Sequence, residues 1–182
     1  SKREIKSLSD LKGLKIRIPE TPLWIDYFKR LGIVATPIPY PEVYTSMQTG
    51  IIDGHEGPAI GFSMLKTAEL GKYIVRTQHV GQTFKMIMPN KLWESLPKDI
   101  QDILMRSAWD QAAFQTFQLE FEDFDVVKSL KEKYGTIFTD LPKEDEIKMD
   151  EIALKMLDDW RDKFGPEASE IIEKILKKRI EK

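Results

Sequence analysis

The feature that most constrains the fold is one helical pattern that continues from Lys98 to about Tyr134. Apolar residues recur in it at spacings of three and four, which is typical of an amphipathic helix. Its later turns carry Phe114, Phe117, Phe121, Phe124, Val127 and Leu130. A helix of this length exceeds what one compact core in a chain of 182 residues can cover. We therefore expect it to extend beyond a single lobe and to end at Gly135.

The first ninety residues alternate short strand-like runs with helix-like segments, which predicts an α/β lobe with a mostly parallel sheet. The predicted strands are Lys15–Ile18, Val34–Ile38, Ile51–Asp53, Tyr73–Thr77 and Thr83–Met88. The predicted helices are Leu23–Leu31, Pro41–Thr49 and Ile60–Leu70. After the long helix, the sequence predicts a strand at Thr136–Thr139 and two helical segments, marked by apolar residues from Met149 to Phe164 and from Ile171 to Leu176.

Charge and composition narrow the possible partners. The chain mixes 28 basic and 30 acidic residues along its length, and its net charge is −2. Such a balance lacks the broad basic surface that binds nucleic acid or an anionic membrane, so no nucleic-acid partner is predicted. The absence of cysteine excludes disulfides and thiolate metal sites and leaves the cellular compartment open.

Residues that could carry chemistry are sparse. The sequence has no zinc-protease, glycine-rich phosphate-binding or nucleophile-elbow motif. The one polar cluster lies in "IDGHEGP", where Asp53, His55 and Glu56 fall within four residues. An enzyme could use His55 as a base oriented by a carboxylate, or the three residues could hold a metal. The alternative, which the scarcity of histidine favours, is a turn at Asp53 followed by solvated side chains.

Arg17 lies near the end of the first predicted strand, in "LKGLKIRIPETP". Taken alone, an arginine at a strand end is most often exposed to solvent. Strand ends in an α/β lobe also border the crevice in which ligands bind, where a guanidinium offers a planar fork to a carboxylate. Both interpretations stay open on this stretch alone. The same holds for Trp24, Tyr40 and His79, each of which could line a crevice or pack locally.

Three separated blocks carry a more specific pattern: "DLKGLKIRIP" at Asp10–Pro19, "YPEVYTSMQTGIIDGHEGP" at Tyr40–Pro58 and "KYIVRTQH" at Lys72–His79. Together they resemble the solute-binding proteins of tripartite ATP-independent periplasmic (TRAP) transporters, the dicarboxylate-binding family. That family shows D-L-K-G-x-K-x-R-x-P, then an aromatic residue with x-E-V-Y-x-A-L-Q-T-G-x-x-D-G-x-E-N-P, then K-Y-(apolar)-x-T-x-H. The order and spacing of the blocks are similar here, and the likeness extends through "WESLPKDIQDIL" into the long helix.

The resemblance implies a lobe of a type II periplasmic-binding-protein-like fold, with a long connecting helix and C-terminal helices. It also implies a periplasmic or otherwise extracytoplasmic receptor, made with a signal peptide. Such a receptor captures an organic acid by hinge closure and delivers it to the permease subunits of a sodium-coupled TRAP transporter. On this resemblance the chain would be no enzyme and would need no cofactor and no metal.

The family pattern also assigns binding residues. Arg17 would pair with the ligand carboxylate, Tyr40 would pack on the ligand, and His79 would approach it. The full set of expected ligand-binding residues is Arg17, Glu20, Thr21, Trp24, Tyr40, Glu56, Gly57 and His79.

One departure from the family bears on the ligand. The E-N-P of the family is E-G-P here, so Gly57 stands where an asparagine often bonds the ligand. Glycine leaves room, which suits a bulkier solute or one with fewer polar groups. Trp24, Tyr40 and Met86 would suit an apolar or aromatic acid, and a water molecule could fill the gap equally well.

A second departure concerns extent, because members of the family begin with an N-terminal lobe that this sequence lacks. We therefore expect a C-terminal portion in which residues 1–82 form the second α/β ligand-binding lobe. Residues 83–182 would supply a crossover strand, the long inter-lobe helix, a returning strand and C-terminal helices. The long helix would then expose a stripe that pairs with the missing lobe or with another copy. Alternatively, its aromatic face from Phe114 to Phe124 would dock another partner, as a helical interaction module.

Overall fold

The structure is a computed structural model that describes residues 1–80 and 85–180, with side chains described outside 117–123 and 178–180. The strands are β1 (Lys15–Ile18), β2 (Val34–Pro37), β3 (Gly54–His55), β4 (Tyr73–Arg76) and β5 (Ile137–Asp140). The helices are α1 (Pro22–Arg30), α2 (Val43–Gln48), α3 (Ala59–Met64), α4 (Asn90–Ser95), α5 (Lys98–Tyr134), α6 (Lys143–Trp160) and α7 (Pro166–Ile180). Short 3-10 turns lie at Leu8–Leu11, Tyr40–Glu42, Thr67–Glu69 and Arg161–Lys163.

Every strand pair of the described residues is parallel, as the alternation of strands and helices predicts. One sheet has the order β2-β1-β3, and a second sheet pairs β4 with β5. The backbone of Ser1 and Lys2 connects the two sheets: the Lys2 amide donates to the carbonyl of Asp53 over 3.1 Å, and the Tyr73 amide donates to the carbonyl of Ser1 over 3.1 Å. Because β1, β2 and β3 are parallel, their carboxyl ends lie along one edge of the first sheet.

Side chains of the first β-α-β unit form a buried core next to this edge. Ile16 and Ile18 are buried on β1, and Tyr27 and Phe28 of α1 pack into the same core. Pro22 begins α1, where the missing proline N–H costs no helical hydrogen bond. The strand β1 therefore ends inside the protein, at the fully buried Ile18.

The long helix is confirmed from Lys98 to Tyr134, and Gly135 ends it with a left-handed φ of 61°. Only its last turns are anchored in the core of the described residues, where Leu130 is 1% exposed. Nearer the start of the same helix, Trp109 is 71% exposed and Phe114 is 59% exposed. A search of the described residues finds no helix that combines the length and apolarity needed to cross a membrane.

Some predicted boundaries are wrong. The predicted strand at Ile51–Asp53 is displaced to Gly54–His55, because Ile52 instead fills the core against α2 and the backbone reaches β1 only from Asp53 onward. The predicted helix Ile60–Leu70 ends at Met64, because Lys66 adopts a left-handed φ of 56°.

The segment after β4 also differs from the sequence prediction. Of the predicted strand Thr83–Met88, residues 83 and 84 lie outside the described part of the chain, and residues 85–88 form neither strand nor helix. The helix α4, which follows a proline at position 89, was not predicted. The proposed division of the chain at residue 82 stays a prediction.

Candidate ligand-binding site

Arg17 is a buried cation at the end of a parallel strand. Its side chain is 7% exposed, because β2 and β3 flank β1 on both sides. The Nε atom donates to the backbone carbonyl of Ile38 over 2.7 Å, which fixes the plane of the guanidinium. Within residues 1–80 and 85–180, neither terminal nitrogen of Arg17 has a hydrogen-bond partner. The expectation of a solvent-exposed strand-end arginine is therefore wrong, and the fork is free to bind an anion.

Burial affects the pKa of the Arg17 guanidinium. Desolvation lowers the pKa of Arg17, and the nearby Glu56 and Tyr40 act in the opposite direction. An arginine keeps its proton even so, because its ordinary pKa lies far above neutral pH. Among the described residues, the terminal nitrogens of Arg17 are not among the fully buried atoms that lack a partner, so the fork reaches the surface, where an anion can pair with it.

Tyr40 lies on the face of the guanidinium. The Cζ atom of Arg17 is 5.4 Å from the centre of the Tyr40 ring, within the range of a cation–π interaction. Tyr40 itself is 43% exposed, and burial of its hydroxyl raises its pKa, so the ring is neutral at physiological pH. Arg17 is thus bounded on one side by an aromatic surface.

Glu56 and His79 bring a carboxylate and an imidazole to the same edge. Each side chain is 15% exposed, and the Nε2 atom of His79 lies 3.8 Å from an oxygen of Glu56. The Glu56 amide donates to the carbonyl of Arg17 over 3.3 Å, which places Glu56, directly after β3, beside the end of β1. The Nδ1 atom of His79 is 2.6 Å from the Thr77 hydroxyl, and its ring packs against Tyr27 and Phe28.

The proposed catalytic cluster does not assemble. The carboxylate of Asp53 accepts the Lys15 amide over 2.9 Å and so caps the start of β1. His55 is 7% exposed, with Nε2 bonded to the Thr67 hydroxyl over 2.7 Å and its ring against Phe62, so the expectation that it is solvated is wrong. Burial lowers the pKa of His55 to about 4. Among the described side chains, no group of three His, Cys, Asp or Glu residues is placed to hold a metal ion.

Three further expected binding residues make no described contact with Arg17. Glu20 and Thr21 are exposed at the start of α1, and Trp24 packs against the α1 core. No described hydrogen bond, ion pair or ring contact joins any of the three to Arg17. Gly57 is exposed with a φ of 151°, and a Cβ there would meet no atom within 4 Å, so the position is open as its sequence predicts. Their roles stay predictions.

An apolar cavity of about 100 Å³ adjoins the polar cluster. Glu56, Gly57 and His79 line its polar end, and Tyr27 and Phe28 line its apolar part. Sequence reasoning missed both aromatic residues, because their contact with His79 joins α1 to a segment some fifty residues later. The only available sequence signal was the apolar stripe of α1, which predicts burial and does not name a partner.

The fold and the charged cluster define a ligand-binding α/β lobe, because such lobes bind ligands at the carboxyl ends of parallel strands. Residues 1–163 match the family described as bacterial extracellular solute-binding protein, family 7. The match covers most of the chain, which therefore belongs to this family. The resemblance to TRAP solute-binding proteins in the sequence is confirmed.

Particular relatives agree with this assignment. A solute-binding protein of Roseobacter denitrificans is 36% identical over 108 residues, which cover 59% of this chain and 33% of that protein. A TRAP periplasmic solute-binding protein of Desulfovibrio salexigens, solved with orotic acid, superposes with a TM-score of 0.87 at 26% identity and covers 98% of this chain and 57% of its own. Another from the same species, solved with diglycerolphosphate, gives 0.83 at 30%, covering 98% and 56%.

These comparisons confirm the predicted fold class, a parallel α/β lobe like that of type II periplasmic binding proteins with a long helix. The family is extracytoplasmic by description, and its members are solute-binding receptors. The chain spans a third of the length of the curated relative and just over half of the two solved proteins.

Proposed function

We propose that this chain is the acid-binding part of an exported TRAP receptor that does no chemistry on its ligand. The observation that carries the proposal is the buried guanidinium of Arg17, whose terminal nitrogens have no partner among the described residues. A carboxylate matches this planar fork with two parallel hydrogen bonds. Each charge-assisted bond contributes about 1.5–3 kcal/mol, enough to set both affinity and orientation.

The ligands of relatives support an anion. Orotic acid carries a carboxylate and diglycerolphosphate carries a phosphate, and both were found in TRAP solute-binding proteins. Between these two anions, the flat aromatic surface of Tyr40 beside Arg17 favours a planar carboxylate. Gly57 and the apolar cavity leave space for the remainder of the acid.

The face of α5 supports a second lobe in the complete receptor. Large apolar side chains before and along this helix are exposed, among them Met86, Ile87, Leu92, Ile103, Met105, Trp109, Phe114 and Phe124. Exposed apolar side chains in this number are typical of an interface. In the complete receptor another part of the same protein would cover it, or else a second copy would. Closure of two lobes would desolvate the pair between Arg17 and the ligand and so strengthen it.

Delivery to a sodium-coupled permease, export and the signal peptide of the precursor also belong to the proposal, because the resemblance to TRAP receptors implies them. A receptor of this type needs no catalytic group. Asp53 and His55 accordingly have structural partners, the Lys15 amide and the Thr67 hydroxyl.

Calorimetry on the complete receptor tests the central claim. Arg17→Lys keeps the charge and removes the fork, and we expect it to weaken binding of a carboxylate such as orotate by about tenfold or more. Arg30→Lys is the matched control, because Arg30 pairs with Asp26 and Asp159 on the surface of α1. Equal affinities for the two variants and the unaltered receptor would refute the role of Arg17. Turnover of a bound acid would refute the receptor assignment.

A further inference from the structure

Glu56 is a second charged group at the Arg17 site, and it constrains the class of acid that can bind. Its carboxylate is largely buried, and its negative charge acts to raise the pKa of Arg17. No ion pair joins the two side chains among the described contacts, so the arginine fork is not consumed by Glu56. Arg17 and Glu56 therefore bring a cation with an open fork and a separate carboxylate to the same strand ends.

The imidazole of His79 is a second largely buried group beside the Glu56 carboxylate. When Nδ1 accepts the Thr77 hydroxyl, the ring hydrogen lies on Nε2, which makes Nε2 a donor. This atom is buried and has no hydrogen-bond partner, and its distance of 3.8 Å from Glu56 is too long for a hydrogen bond. Buried donors without partners are rare in folded proteins. The pair of Glu56 and His79 is therefore incomplete in the absence of a ligand.

A plain carboxylic acid fits this arrangement poorly. An ionised carboxylate only accepts hydrogen bonds, so a ligand carboxylate beside Glu56 would add a second acceptor of the same charge. The repulsion disappears when the ligand places an O–H or N–H group between its own carboxylate and Glu56. Such a group donates to Glu56 while the ligand carboxylate binds Arg17.

We propose that Glu56, completed by His79, selects acids that carry a hydroxyl or ammonium group next to the carboxylate. This inference rests on the proposed function, because it takes Arg17 as the anchor of the carboxylate. The ligand donor binds one oxygen of Glu56, and a small approach of His79 lets Nε2–H donate to the other. His79 is then a positioning residue that acts through Glu56, held by Thr77, Tyr27 and Phe28.

Matched pairs of acids test this selectivity by calorimetry on the complete receptor. Lactate is compared with propionate, mandelate with phenylacetate, and alanine with propionate, so that each pair differs by one hydroxyl or ammonium group. We expect the donor-bearing member of at least one pair to bind about 10-fold to 100-fold more tightly, the range of one charge-assisted hydrogen bond. Lactate against alanine distinguishes a hydroxyl from an ammonium donor.

Two variants assign the effect. Glu56→Met removes the acceptor at similar length, and we expect it to abolish the difference within a pair. Glu69→Met is the matched control, because Glu69 bonds the Tyr44 hydroxyl on another surface, and it should preserve the difference. His79→Phe keeps the ring packing and removes the donor, and it should reduce the difference without abolishing carboxylate binding.

The failures of the two proposals are distinguishable. If both members of every pair bind equally to the unaltered receptor, the selectivity is refuted and the carboxylate receptor stands. Equal weakening of both members by Glu56→Met would also refute it, because Glu56 would then only support Arg17. If the receptor binds no acid of the panel and no orotate, both proposals are refuted.

Discussion

Gly61 lies directly against Tyr40: a Cβ on Gly61 would be 3.0 Å from the Tyr40 hydroxyl oxygen. The glycine is buried on α3, and the tyrosine ring covers Arg17. The close approach therefore couples the position of α3 to the aromatic ring beside Arg17 in the candidate site, through the Tyr40 hydroxyl.

Gly61→Ala should weaken carboxylate binding without lowering the stability of the fold. Alanine is favoured over glycine inside a helix by about 0.5–1 kcal/mol, so the free energy of unfolding should stay equal or rise. The added methyl group must displace the Tyr40 hydroxyl, so carboxylate affinity in the complete receptor should fall by about threefold to tenfold. Calorimetry and urea unfolding measure the two quantities.

The control for this prediction is Ser63→Ala, on the same helix, which should leave affinity unchanged. Tyr40→Phe in the Gly61→Ala background removes the crowded oxygen and should restore part of the affinity. Unchanged binding by Gly61→Ala alone would show that Tyr40 is free to move without consequence.

His55 should make the stability of the receptor depend on pH. Its pKa is about 4 in the folded protein and 6.5 in the unfolded chain, because the folded ring is buried. Below pH 6.5 the imidazole of His55 is therefore protonated in the unfolded chain, whereas in the folded protein it stays neutral until the pH falls to about 4. Neutral, buried His55 contributes its full share to the free energy of unfolding above pH 6.5. This share, about 3 kcal/mol in total, is lost as the pH falls towards 4.

Urea unfolding of the receptor at pH 7.5 and pH 4.5 measures this dependence. In His55→Gln, a side chain that does not titrate replaces the imidazole, and the variant should lose less stability between the two pH values than the unaltered receptor. Identical pH dependence in the two proteins would contradict the predicted protonation of the unfolded chain.

Thr67→Val should destabilise the protein by removing the hydroxyl that satisfies His55. The Thr67 hydroxyl is 2.7 Å from Nε2 of His55, and Thr67 is 1% exposed, so no water replaces it. A buried nitrogen left without its partner costs about 1–3 kcal/mol in the free energy of unfolding. Thr49→Val, at the exposed end of α2, makes the same chemical change and should cost less than about 0.5 kcal/mol. A similar cost for both variants would rule out a special role for the bond.

The sequence predicts those features of the site that depend on local patterns. Arg17 could be placed at a strand end because the strand, Pro19 and α1 follow one another within a few residues. Gly135 could be placed at the end of α5 because glycine adopts a left-handed φ at little cost. The family pattern also predicts that Arg17 binds the ligand carboxylate, whereas its burial and its open fork are visible only in the structure.

The contacts between distant segments could not be predicted. Glu56 and His79 are 23 positions apart and follow strands of two different sheets, which Ser1 and Lys2 connect through the backbone. The burial of His55 also depends on Thr67 and Phe62, which reach it only when the chain turns at Lys66. Polar residues in a short loop are read as solvated unless the segments that cover them are known.

Trp109 tests whether another part of the receptor covers the exposed face of α5. Its side chain is 71% exposed in the chain described here, with no core around it. If the remainder of the receptor packs on this face, Trp109→Asp in the complete receptor places a charge in an apolar interface and should lower the free energy of unfolding by about 2–4 kcal/mol. Gln111→Asp on the same helix is the control and should change it by less than about 0.5 kcal/mol. Equal effects of the two substitutions in urea unfolding would mean that the face stays in water, and the proposed second lobe would then have to pack elsewhere.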